Sequence, residues 1–161
     1  MAGTWVELAA AVHQDALTVA TGARVEITDL TEELDAAVRR SGIRDGLAFL
    51  QTLHTTTALV VNENEPLLRE DLGPLLERLA PAGAHYAHNE LHRRPGIAAD
   101  ESPNGDSHCR ALLLGHQATL AVAEGRLRLG RWQRVMFVEL DGPRERSLTI
   151  VVMGTREERR P

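Results

Sequence analysis

Aromatic residues are nearly missing from this chain: two Trp, one Tyr and two Phe make up 3% of its 161 residues. The core must therefore be built from Leu, Val, Ile and Ala. Cysteine is scarcer still. A lone Cys109 excludes an internal disulfide and suits a cytoplasmic protein. Long apolar runs are also lacking: none reaches the ~18 residues of a membrane span, and no N-terminal signal is visible. No membrane partner is expected. Positive charge is not in excess either, the formal net charge being -5. The arginines at 156, 159 and 160 are interrupted by Glu157 and Glu158, so residues 155–161 read as a flexible tail, not as a nucleic-acid arm.

What is present is an ordinary globular composition, 43% hydrophobic and 25% charged, long enough for one domain spanning residues 1–161 with a real core. Strands are expected over Thr4–Ala11, Ala16–Thr21 and Arg24–Thr28. Asp29 or Thr31 then caps a helix to about Arg40, with Glu32 and Glu33 in its first turn, Arg39 and Arg40 in its last, and Gly42 beyond it. Two apolar runs, Gly46–Leu53 and Ala58–Val61, read as strands. A second helix starts at Asn64 and ends near Leu79, with Gly73-Pro74 as a possible break. Residues 80–106 are mostly loop, most clearly 93–106. Ser107–Leu114 is compatible with a helix or a strand. Gln117–Ala123, Arg126–Leu129, Trp132–Leu140 and Ser147–Met153 complete the strands, as a C-terminal antiparallel meander. The class is α+β: a strand-rich sandwich with two helices in a single compact domain.

Polar islands interrupt these elements. His54-Thr55-Thr56-Thr57 separates the paired apolar runs, and Asn62-Glu63-Asn64-Glu65 follows the second. Tyr86-Ala87-His88-Asn89 and Asn104-Gly105-Asp106-Ser107-His108 come later. Three neutral imidazoles with one open position form a catalytic type of zinc site, and His54, His88 and His108 are candidates. Their wide spacing carries little signal by itself, and His85 rivals His88. Asn64 and Glu65 suit a helix start, whereas Asn62 and Glu63 are placed to orient a histidine. Arg110 is either a surface residue or a bidentate phosphate holder. If Ser107–Ala111 were a strand, Arg110 and His108 would share a face; a helix would set them about 200° apart. Trp132 is either core or a platform beside Gly130. Glu139 either takes the wet face of its strand or is buried and needs a partner. Ser107, His108 and Asp106 are too close in sequence to converge as a catalytic triad.

Taken together, His54-Thr55-Thr56, Asn62-Glu63-Asn64, Tyr86-Ala87-His88, Ser107-His108, Leu114-Gly115, Gly125 with Leu129-Gly130, Trp132-Gln133, and Glu139 with Asp141-Gly142-Pro143-Arg144 resemble the YjbQ-like family. Its members are commonly labelled secondary thiamine-phosphate synthase enzymes. The likeness runs from about Thr4 to Gly154 in the family's order. It implies an α+β sandwich assembled as a homotrimer, with a divalent ion, zinc by preference, on His54, His88 and His108. It also implies action on a small phosphorylated metabolite, with thiamine-phosphate synthesis as a side activity. Around that ion, Arg110 would neutralise phosphate, while Glu63 or Glu139 orients a histidine or serves as general base. Thr55, Asn62, Asn64, Ser107, Trp132 and Gln133 would line the ligand. Arg131 stands where the family usually carries Thr. The competing class is a non-catalytic trimer that binds a small anionic metabolite.

Overall fold

A computed structural model describes residues 10–98 and 101–156. The order of elements is β1 (Ala11–Ala20), β2 (Glu26–Asp29), α1 (Thr31–Ser41), β3 (Ile43–Thr52), β4 (Thr57–Glu63), α2 (Pro66–Leu79), α3 (Gly105–Leu114), β5 (Gln117–Ala123), β6 (Arg126–Leu127), β7 (Gln133–Glu139) and β8 (Glu145–Arg156). Two antiparallel sheets result. One has five strands in the order β1-β8-β3-β5-β6, and the other three in the order β2-β7-β4. The mixed α+β class is as expected, but three α-helices stand among the described residues where two were read, because Ser107–Leu114 is helical. The C-terminal strands do not form a meander: β7 leaves the larger sheet for the smaller one and β8 returns to it. Most of the first expected strand, Thr4–Ala9, lies outside the described residues, as do residues 157–161; Thr155 and Arg156 belong to β8.

The smaller sheet is covered on both sides, which explains the unbroken apolar run of β7. Val135 and Phe137 face the core between the sheets, packed with Leu34, Leu50, Leu148 and Ile150. Val138 faces the other way, onto a second cluster with Leu76 of α2 and Ala111 of α3. Helix α1 has the expected charges at its ends and stops at Gly42, left-handed at φ 66°. Asp29 Oδ1 accepts the Thr31 N–H at 2.9 Å. In α2 the cap is Glu65, not Asn64. The Glu65 carboxylate accepts the N–H groups of Leu67 and Leu68, and Pro66 opens the helix. Gly73-Pro74 does not break it.

Candidate functional site

The residues of the site meet where the start of β4, the first turns of α3, the 86–94 loop and the β7–β8 turn converge. His54 leads into β4 through a turn held by a hydroxyl pair, Thr52 Oγ1 to Thr57 Oγ1 at 2.6 Å. The His54 ring swings towards β8, where its Nε2 accepts the Ser147 backbone N–H at 2.8 Å. That bond requires an unprotonated Nε2, so the ring is neutral with its proton on Nδ1. Burial, and then the nearby Arg146 guanidinium, hold its pKa below the ordinary histidine value.

His88 sits on the short 3-10 turn Ala87–Asn89 and His108 on the first turns of α3. Their rings meet edge-on, with centroids 4.5 Å apart. Gly105 allows this approach: a Cβ there would stand 2.6 Å from Tyr86 Cβ. Asn89 Oδ1 accepts the Gly105 N–H at 2.9 Å and ties the loop to the helix start. Burial, and then the adjacent His88, depress the pKa of His108. His88 Nε2 is buried and has no hydrogen-bond partner among the described residues. Around the two rings lie Thr55, Thr56, Arg94, Glu101, Asn104, Asp141, Arg144 and Arg146, enclosing about 320 Å³. Arg94 Nη1 reaches Glu101 Oε1 at 2.9 Å, and Arg144 Nη2 reaches Asp141 Oδ2 at 3.3 Å. Thr55 and His108 also border a neighbouring cleft of about 610 Å³ that holds His54 and His116. His85 is 79% exposed and leans on Glu90 at 3.2 Å, away from these rings.

Several expected site residues are elsewhere, for physical reasons. Asn62, Glu63 and Asn64 close the far end of β4, about 20 Å from its His54 end at ~3.4 Å per residue. Asn64 Nδ2 donates to Asp29 Oδ2 at 3.0 Å. Arg110 lies round the helix from His108. Its buried guanidinium donates to Ala80 O at 3.0 and 2.9 Å and to Glu77 Oε2 at 2.6 Å, so it fastens α3 to the end of α2. Ser107 is fully buried and donates to Leu140 O at 2.6 Å, towards the sheet. Trp132 is 61% exposed beneath Arg131, and Gln133 Oε1 accepts the Gly130 N–H of its own turn; neither lines the clefts.

Glu139 extends the inward row of Val135 and Phe137, so it faces β8 and not solvent. Arg146 binds both its oxygens, at 2.6 and 2.7 Å. Thr21 Oγ1 and the backbone N–H groups of Leu140 and Asp141 complete the set. Burial alone would raise this carboxyl, but the Arg146 bonds and the backbone donors hold it below its ordinary value. Both oxygens are thus taken by protein donors and Glu139 lines neither cleft; it holds Arg146, which lines the one around His88 and His108.

The expected trio of metal ligands is only partly assembled. His88 and His108 adjoin, and the Nε2 of His88 makes no hydrogen bond, with Glu101 Oε1 4.0 Å away. The Nε2 of His54 is committed to Ser147. Among the described residues, no three His, Cys, Asp or Glu side chains are grouped at metal-binding spacing. Thr56, Arg94, Glu101, Asn104, Asp141, Arg144 and Arg146 were not read from the sequence as site residues. Thr56 and the Asp141–Arg144 segment carried a signal as parts of the family pattern, and Asn104 as the start of a polar island, whereas Arg94, Glu101 and Arg146 carried none.

A family profile described as "UPF0047 protein YjbQ-like" matches residues 15–155. The chain belongs to this family. A UPF0047 protein of Archaeoglobus fulgidus is 42% identical over 134 residues, covering 83% of this chain and 96% of the relative. One from Methanothermobacter thermautotrophicus is 38% identical over 143 residues, covering 89% and 93%. Among solved structures, a YbjQ-like protein of unknown function from Sulfolobus solfataricus superposes with a TM-score of 0.81 at 34% identity, covering 90% of this chain and 99% of that one. A hypothetical protein from Aeropyrum pernix gives 0.78 at 34% identity, with 88% and 98% covered. This YjbQ-like chain thus shares its fold and nearly its whole length with its relatives.

Proposed function

We propose that the His88–His108 cleft binds a small phosphorylated metabolite and carries acid–base chemistry on it. The observation behind this reading is the adjoining ring pair, with the Nε2 of His88 buried, making no hydrogen bond and standing 4.0 Å from Glu101 Oε1, inside a cleft bordered by Arg94, Arg144 and Arg146. A phosphate entering there meets guanidinium groups suited to its geometry. Arg144 is the most adaptable, its side chain being 45% exposed. His108, held neutral at pH 7, accepts a proton from a ligand hydroxyl or bound water, with the His88 ring edge-on against it. The family resemblance makes thiamine-phosphate synthesis the first reaction to assay.

Calorimetry with inorganic phosphate and pyrophosphate tests the binding step. Arg144→Ala should weaken both by roughly tenfold, the worth of one charge-assisted contact. Absence of binding by the wild type would overturn the proposal. Turnover assays then separate an enzyme from a binding protein. A bound divalent ion is a second reading, favoured by the Nε2 of His88, which makes no hydrogen bond and has Glu101 Oε1 4.0 Å away. It requires a third ligand, and elemental analysis with and without chelator treatment tests it. We propose the homotrimer on the resemblance and on apolar surface that one chain leaves open, including Leu112 at 85% and Leu113 at 60% exposed. Light scattering at the mass of one 17.7 kDa chain would refute it.

A further inference from the structure

Asn104 occupies the N-cap position of α3, where an asparagine ordinarily turns its side-chain oxygen onto the first free N–H groups of the helix. It does not do so here: its backbone lies at φ −146°, ψ 26°, with no side-chain cap bond. Its amide nitrogen instead donates to Asp141 Oδ2 at 2.9 Å. Because a carboxylate only accepts, this contact fixes which end of the amide faces Asp141. The other end, Oδ1, is buried and has no hydrogen-bond partner among the described residues, although Asn104 is only 7% exposed. A buried acceptor without a donor costs free energy, and such an atom in a native cleft requires an explanation. Asn104 lines the same cleft as His88, whose Nε2 is another of the three such atoms among the described residues; the third, His13 Nε2, is on β1.

We propose that Asn104 is a specificity residue whose Oδ1 accepts a hydrogen bond from an O–H or N–H group carried by the phosphorylated ligand. The ligand class is then a phosphate ester bearing a hydroxyl or amino group near the phosphate, in preference to a plain alkyl phosphate. Arg144 links the two ends of such a ligand. Its guanidinium bonds to the same Asp141 oxygen that orients Asn104, so the anion contact and the donor-reading acceptor share one carboxylate. Asp141 is therefore a positioning residue that sets the direction of the Asn104 amide. The inference rests on the reading of the cleft as a phosphate site.

Two probes of similar size test it: glycerol 3-phosphate, with hydroxyls on the next two carbons, and propyl phosphate, with none. Affinities of both for the full-length protein are measured by calorimetry, with inorganic phosphate as the reference anion. The wild type should prefer glycerol 3-phosphate by roughly tenfold or more, since a buried acceptor left unpaired penalises the analogue that lacks the donor. Asn104→Leu should remove the preference while leaving propyl phosphate within about threefold of wild type. Asp141→Asn is the second variant and covers the case in which Asn104→Leu does not fold. It frees the Asn104 amide to turn over, so the preference should fall although both side chains keep their size. Its lost charge acts on both probes alike and cancels in their ratio. Equal wild-type affinities for the two esters, with inorganic phosphate still bound, would overturn the role of Asn104 and spare the anion site. A preference unchanged in either folded variant would also overturn it. Failure of all three anions to bind would overturn the phosphate reading together with this one.

Discussion

Arg146→Met is the most revealing single perturbation of this fold. The Arg146 side chain is 6% exposed and Glu139 is fully buried, so the pair joins the two sheets where solvent does not screen it. The substitution removes two charge-assisted bonds, at 2.6 and 2.7 Å, together with the 3.2 Å contact to Thr56. It leaves the Glu139 carboxylate in place, still accepting from Thr21 Oγ1 and from the Leu140 and Asp141 N–H groups. A buried charge that has lost its partner costs about 3–5 kcal/mol, and the three surviving donors set the expectation at the lower end of that range. For a domain of this size the loss corresponds to roughly 6–20 °C in Tm. Urea titration at pH 7 measures it. The pH dependence supplies a second check. In the wild type the Glu139 pKa lies below 4.5, so its contribution is complete above that pH and is lost as pH falls. In Arg146→Met burial dominates and the pKa rises above 4.5, so the variant is penalised least in acid. The gap between the two proteins should therefore close as the pH approaches 4. In the double variant Arg146→Met with Glu139→Gln, part of the loss should return, because no charge is left unpaired. Stability of Arg146→Met within about 1 kcal/mol of wild type at pH 7 would refute the reasoning.

Arg110→Ala should destabilise the protein by about 2–4 kcal/mol in urea titration, since it leaves the Ala80 carbonyl unpaired and unfastens α2 from α3; phosphate affinity by calorimetry should be unchanged. Gly46→Ala would place a Cβ 2.0 Å from Met153 O, inside the β3–β8 pair, so thermal melting should fall well below wild type or the protein should fail to fold. Stability should also drop as pH falls from 7 towards 5. His54 and His108 have depressed pKa values when folded, so the unfolded chain binds more protons through this window, and His54→Gln should flatten that part of the melting profile.

The legible parts of the fold were those governed by local rules. Helix α1 follows its charges and Gly42, and β5 and β8 follow their alternation. Residues 107–114 remained ambiguous because Ser-His-Cys-Arg-Ala-Leu-Leu-Leu has no period strong enough to separate a helix from a strand. The structure decides through tertiary contacts: Ser107 turns onto Leu140 and Arg110 onto Ala80. Glu139 was readable only up to its alternative, a wet face or a buried partner. Its partner, Arg146, lies on a strand of the other sheet, and no pattern within β7 could identify it.

The error over Asn62, Glu63 and Asn64 has a different origin, and it shows how sites form on this fold. Sequence proximity to His54 looked like spatial proximity, yet an extended strand separates its ends more than any other element of the same length. Residues that flank a strand therefore belong to opposite ends of a sandwich. Residues that share an end come from alternate connections: the 53–56 turn before β4, the 86–104 segment before α3, and the 141–144 turn between β7 and β8. Thr55, His88 and Arg144 meet by that rule, although each comes from a different connection. The resemblance named segments 54–56, 86–88 and 141–144, which share this end, alongside 62–64 and 132–133, which do not line the cleft. A family pattern preserves the order of the turns that share an end, whereas spacing within one segment reports only on neighbours that the strand then carries apart.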